Sequence, residues 1–141
     1  MNTLEQRLAE SQKRTLARLR AMGDIGEGAI VKHEDPTREQ WQMIHPGVER
    51  AGGWRLTTFD LKGFSGHMCF AGKDEAMSEA ARNGFYIRDD EALGRLQHTP
   101  AFIRGNYVLG LLEQINGGKI TSFDAAAMLN EYDERMNRMA A

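Results

Sequence analysis

Leucines recur at helical spacing over the first 22 residues. Leu4, Leu8, Leu16, Leu19 and Met22 fall on one face, with a polar gap at Ser11 and Gln12. The pattern predicts a helix over 3–22, capped by Thr3 and stopped by Gly23. Its apolar stripe is thin and the rest is charged, so it lies peripherally on the domain or pairs with another helix. Gly26 to Val31 predicts a short strand. Asp35 before Pro36 is a start signal, because proline at the first helical position loses no hydrogen bond and aspartate caps free amides. It predicts a helix over 36–44 burying Trp41 and Ile44, ended by Pro46-Gly47 and followed by a loop over 47–53.

Residues 54–70, WRLTTFDLKGFSGHMCF, read as a β-hairpin. A three-residue loop, Leu61-Lys62-Gly63, places glycine at the left-handed third position and pairs Asp60 with Phe64. Trp54 then faces Phe70, Leu56 faces Met68, and Thr58 faces Gly66 on one side of the hairpin. Arg55 faces Cys69, Thr57 faces His67, and Phe59 faces Ser65 on the other. A two-residue loop would shift the register by one and mix polar with apolar positions, so the clean segregation favours the first pairing.

Residues 72–83 predict a helix with an alanine stripe, Ala76, Ala80 and Ala81 beside Met77, closed by Gly84. Phe85-Tyr86-Ile87 predicts a further strand. A short helix over 89–97 follows. Thr99-Pro100 starts another to Ile115, with Ile103, Tyr107, Val108, Leu111, Leu112 and Ile115 inward. Thr121 or Ser122 caps a last helix to 139, with Ala125, Met128, Leu129, Tyr132, Met136 and Met139 as its stripe. The short link makes these two an antiparallel pair. The expected fold is α+β. A small antiparallel sheet, made of hairpin 54–70 and a strand near 85–88, is packed by helices on one face. A basic N-terminal helix and a C-terminal α-hairpin over 99–139 complete it.

Composition bounds this picture without changing it. The 141 residues predict one domain, 1–141, large enough to bury a core without disulfide or metal. Eighteen basic residues stand against twenty acidic ones, so any nucleic-acid contact rests on a local patch. The single cysteine cannot form an internal disulfide and points to a reducing cytoplasm. The N-terminus does not read as a signal peptide, and no stretch approaches the ~18 apolar residues a membrane span needs.

The chemistry-bearing residues argue for binding over catalysis. Cys69 sits between Met68 and Phe70 and reads as structural, since free cysteines behave mostly as small hydrophobes. Ser65 and His67 lie in a hairpin, not in the strand-to-helix turn of a serine hydrolase. The four histidines stand far apart, and only His33-Glu34-Asp35 is dense in ligand types, so neither a metal nor another cofactor is expected. Gly23 to Gly28 follows no strand and carries Asp24 and Glu27, which repel phosphate. Lys13, Arg14, Arg18 and Arg20 form a local basic patch on the first helix, able to hold phosphates in a salt-sensitive way. The acidic tail suits pairing of the first helix with the last, or with a second copy as a homodimer.

The run Gly53 to Asp60, then Gly63, Ser65-Gly66-His67, Phe70, Glu75-Ala76 and Gly84-Phe85, resembles small accessory domains of plasmid, phage and integrative-element proteins. The resemblance implies a mobile-element origin. It also implies action by binding, as inhibitors of anti-restriction or anti-CRISPR type act, and carries no catalytic residues. The expected function is that of a non-catalytic protein-binding module. Its expected contact residues are Arg55, Thr57, Phe59 and His67 on the outer hairpin face and Lys13, Arg14, Arg18 and Arg20 on the first helix. An exposed Phe59 beside Arg55 would make an interface anchor. The alternatives are nucleic-acid binding through the basic helix, and a small enzyme using His67 with Cys69.

Overall fold

A computed structural model describes residues 3–48 and 51–140. Glu49 and Arg50, within the expected loop 47–53, lie outside the described residues, as do Met1, Asn2 and Ala141. Helix α1 (Leu4–Met22) comes first. Strands β1 (Ala29–His33), β2 (Gln40–Pro46), β3 (Trp54–Asp60) and β4 (Gly63–Phe70) follow. Helix α2 (Lys73–Arg82), strand β5 (Phe85–Arg88), and helices α3 (Ala92–Leu96), α4 (Pro100–Asn116) and α5 (Ser122–Ala140) complete the chain. The fold is α+β. One antiparallel sheet has the order β4-β3-β2-β1-β5.

Local chemistry sets the helix starts. Thr3 accepts from the Gln6 amide at 3.2 Å while the Gln6 side chain accepts from the Thr3 amide at 2.7 Å, a reciprocal capping box. Thr99 caps α4 through the Phe102 amide. Thr121 caps α5 through the Asp124 amide at 3.0 Å. Gly84, at φ 89°, lets the chain turn from α2 into β5.

The expected helix over 36–44 is replaced by a turn and β2. The Asp35 carboxylate accepts from the Thr37 amide at 2.9 Å and from its hydroxyl at 2.7 Å. It therefore holds a chain reversal instead of starting a helix. Trp41 and Ile44 are buried as expected, but in different clusters on opposite faces of the sheet. β2 lies between β1 and β3 and buries Trp41 on one face and Gln42 and Ile44 on the other, so burial along it does not follow polarity.

Helices accordingly cover both faces, not one. On the inner face, Val31, Ile44, Leu56 and Phe85 pack under Ala76, Ala80 and Ala81 of α2 and Met22 of α1. The alanines bring the α2 backbone close to the sheet. On the outer face, Ile30, Trp41 and Phe59 pack under Ala92 of α3 and Phe102 of α4.

The hairpin keeps the expected pairs from Trp54–Phe70 to Thr58–Gly66. Beyond Thr58 the register shifts, so Phe59 faces Phe64 and Asp60 faces Gly63. The loop is therefore two residues, Leu61-Lys62, and Ser65 is the extra residue of a bulge. The bulge combines the shorter loop with the segregated pairing, which a uniform register cannot do.

The hairpin tip is seated on α4. The Phe64 amide donates to Asn106 Oδ1 at 3.0 Å. A Cβ on Gly63 would stand 2.6 Å from that same oxygen, and one on Gly105 would collide with the Lys62 carbonyl. Phe102 and Leu111 are the buried side chains of α4. Nine residues apart, they point half a turn away from each other. Phe102 faces the sheet, leaving the opposite side of the helix for α5. Tyr107 stacks on Tyr132 at 4.5 Å, and Arg104 pairs with Asp133 at 2.9 Å, so α4 and α5 run antiparallel. Ile103 and Leu112, expected inward, are exposed, as are Met136 and Met139 of α5. A groove of about 710 Å³ lies among Ile103, Met136 and Met139.

Candidate interaction surface

Three cross-strand rows of side chains make the outer face of β2, β3 and β4. Trp41, Phe59 and Phe64 form one row. Met43, Thr57 and His67 form the next, and His45, Arg55 and Cys69 the last. Helices roof the first, and Met43 at the start of the second packs against its edge. Trp41 stacks on Phe59 at 5.7 Å, and Phe102 meets Phe59 and Phe64 edge-to-face at 6.2 and 5.5 Å. Each such pair contributes about 0.5–1.5 kcal/mol beyond its area. The Trp41 indole donates to Asp89 Oδ2 at 2.9 Å, and Arg95 donates to both oxygens of that carboxylate, at 2.9 and 2.7 Å. These hydrogen bonds, Arg95's foremost, hold the Asp89 carboxyl below the usual carboxylate range.

Phe59 is therefore not an exposed anchor. It is fully buried, and its ring anchors α4 to the sheet. The period-two pattern placed it correctly beside Arg55 and Thr57. What sequence spacing did not carry was where α4 would land.

The rest of the other two rows stands outside this roof. Arg55 and Thr57 are half-buried, while His67 and Cys69 are exposed. His45 joins them, and the reading of 36–44 as helix hid it. Its Nε2 lies 2.6 Å from the Thr57 hydroxyl and its Nδ1 lies 3.1 Å from the Pro46 carbonyl oxygen. The carbonyl accepts only, so Nδ1 carries the proton, and neutral Nε2 accepts from Thr57. Burial, then the charges of Arg55 and His67, push the His45 pKa down. This keeps the ring neutral and fixes the Thr57 rotamer. His67 and Cys69 share the face but make no hydrogen bond to each other. Side chains two apart on a strand are about 7 Å apart at the backbone.

β4 borders this surface as an edge strand. Its sequence, GFSGHMCF, contains no lysine, arginine, aspartate, glutamate or proline. Five consecutive residues, Ser65 to Cys69, are exposed, with Met68 at 43%. Edge strands normally carry charge or proline to block pairing with other chains. The opposite edge, β5, has four residues and lies against α1.

The basic helix places its residues differently from expectation. Arg18 points inward. Its guanidinium donates to the Ala81 and Arg82 carbonyls at the end of α2 and to Glu34 at 2.8 Å, and lies 5.8 Å from the Tyr86 ring centre. It therefore clamps α1 to α2 and the β1–β2 turn. Lys13, Arg14 and Arg20 are exposed. α1 packs mainly on α2 and β5, whereas the main neighbour of α5 is α4.

Among the described residues, no group of three histidine, cysteine, aspartate or glutamate side chains converges to hold a metal. No helix among them is long and apolar enough to cross a membrane. No family model, curated protein or solved structure matches the chain.

Proposed function

We propose that this chain is a binding protein that acts on another protein, and that its contact surface is the β4 edge with the adjoining Arg55, Thr57 and His67. The uncharged, exposed edge carries this reading. Beyond Phe64, whose amide Asn106 holds, its outward amides and carbonyls can accept an extended segment of a partner as a sixth strand, with alternate side chains reading the rows beside it. Arg55 and His67 supply donors for an acidic or carbonyl-rich partner segment. The likeness of residues 53–86 to mobile-element accessory domains makes host-defence complexes of restriction or CRISPR type the first partners to assay.

The nucleic-acid reading keeps Lys13, Arg14 and Arg20 but loses Arg18 to the α2 clamp. Three of its four named cations remain exposed, which gives a correspondingly shallow salt dependence. The reading of His67 and Cys69 as an enzyme pair lacks the nucleophile–base hydrogen bond such chemistry uses.

Cys69 is the only cysteine, so one photo-cross-linker can be attached at the proposed surface without any substitution. The expected product in extract of the native host is a discrete protein adduct. Excess unlabelled chain should suppress it, and a Met68→Lys chain should not. Adducts no different from those of a linker at Asn130→Cys in a Cys69→Ser background, or adducts that are nucleic acid, would overturn the proposal.

A further inference from the structure

Main-chain hydrogen bonds fix which residues of β4 face the open edge. Gly47 donates to the Gly53 carbonyl at 2.9 Å, one step beyond the Pro46–Trp54 pair. Residues directly opposite in an antiparallel ladder alternate between pairs that exchange bonds and pairs that do not. His45–Arg55 and Met43–Thr57 are therefore bonded pairs, and Trp54, Leu56 and Thr58 turn their main-chain groups toward β4. Their partners Phe70, Met68 and Gly66 turn theirs back toward β3. His67 and Cys69, in between, present amide and carbonyl outward. Both ends of this stretch are closed. Asn106 holds the Phe64 amide, and the Ala71 amide donates to Glu75 Oε2 at 3.3 Å.

An incoming strand meets different surroundings on its two sides. Side chains set against His67 and Cys69 project onto the outer face. The rows there are Met43, Thr57 and His67, then His45, Arg55 and Cys69. Those six include Arg55 and His67 as donors and no carboxylate. Side chains set against Gly66, Met68 and Phe70 project onto the inner face, where Met68 lies beside buried Leu56 and Phe70 beside Trp54. Carboxylates already stand on that side, since the exposed Asp74 and Glu75 share a groove wall with Phe70. An acidic side chain is thus favoured on the outer face and opposed on the inner one. Resting on the reading of β4 as the contact edge, we infer that its occupant is an acidic partner segment added antiparallel. Its five residues alternate apolar, acidic, apolar, acidic, apolar. The two acidic residues exchange main-chain bonds with His67 and Cys69, and the three apolar ones cover Gly66, Met68 and Phe70. Antiparallel addition continues the pattern of the whole sheet and is the more stable per residue.

The probe is the peptide acetyl-Val-Glu-Val-Glu-Val-amide, titrated to millimolar concentration into the isotope-labelled full chain and followed by amide NMR. It is expected to shift the His67 and Cys69 amides most and to slow their hydrogen exchange. Lysine in place of both glutamates should weaken binding at least about fivefold. In the antiparallel ladder the glutamates carry the bonds to β4, so N-methylation of both should weaken it at least about tenfold. N-methylation of the central valine, whose amide points away, should leave it unchanged. No shift at His67 and Cys69, equal binding of the lysine peptide, or loss on methylating valine instead of glutamate would overturn the inference. Its failure is separable from that of the wider reading. A discrete protein adduct at Cys69 with a peptide that does not bind removes the segment and leaves the contact surface. A peptide that binds as expected while no protein adduct forms removes the host-protein reading and leaves the edge chemistry.

Discussion

Gly105 and Gly110 stand five residues apart on α4, and the structure assigns opposite outcomes to the same substitution at each. A Cβ at Gly105 would overlap the Lys62 carbonyl oxygen, a backbone atom of the two-residue turn. That turn cannot yield alone, because Lys62 donates its amide to Asp60 at 2.7 Å and Phe64 is bonded to Asn106. Gly105→Ala must therefore lift α4 off the hairpin, breaking the Asn106 bond and loosening Phe102 from Phe59 and Phe64. An unsatisfied buried amide costs about 1–3 kcal/mol, and each aromatic contact adds about 0.5–1.5 kcal/mol. The sum is about 2–6 kcal/mol, a fall in Tm of at least roughly 4 °C for a chain of this size. At Gly110 an added Cβ meets nothing within 4 Å. Gly110→Ala therefore gains helix propensity of about 1 kcal/mol and raises Tm by roughly 2–4 °C. Urea and thermal unfolding of the two variants measure this directly. Equal effects of the same sign would refute the seating of the hairpin tip on α4.

Asn106→Ala should lose about 1–3 kcal/mol by leaving the Phe64 amide without its acceptor, and that amide should exchange hydrogen faster. Asp89→Asn tests the pin under the roof. The native carboxyl is held low, so its contribution is present above the unfolded value near ~3.9 and is lost as pH falls through the native value below it. The stability gap between Asp89→Asn and wild type should be widest at neutral pH and close in strong acid. His45 follows the same sign by a different cause. Burial depresses its pKa below ~6.5, so wild-type stability declines as pH falls from that value toward the native one. His45→Gln should flatten urea midpoints between about pH 7 and 5. A slope unchanged by the substitution would place the pH dependence elsewhere.

The helices were legible because their signals are local. Thr3, Thr99, Thr121 and Gly84 act where the sequence placed them. β2 was not legible, because polar Gln42 is buried with Ile44 on the inner face while Met43 and His45 are only half-buried on the outer, so polarity does not mark its faces. The Asp35-Pro36 helix signal is equally good turn chemistry, and nothing nearby decides between the two. The hairpin pairing was readable from Trp54 to Thr58, where apolar and polar residues separate cleanly. The bulge at Ser65 is set by Gly63 meeting Asn106, a contact over forty residues away in sequence. Phe59 shows the same limit. Its face was readable, its burial was not, because Phe102 decides it. His45 entered the surface only once β2 was in place, whereas Arg55, Thr57 and His67 followed from the pairing alone.

The β4 end of the sheet stands open beside a roofed aromatic row. The Cys69 thiol reports on this most directly, because it is the only thiol in the chain and lies on the unroofed row. Native protein treated with a thiol-specific disulfide reagent should lose one equivalent at a rate close to that of a free thiol. That rate should not change across urea concentrations that leave the fold intact. Labelling that proceeds only at the rate of global unfolding would contradict the account.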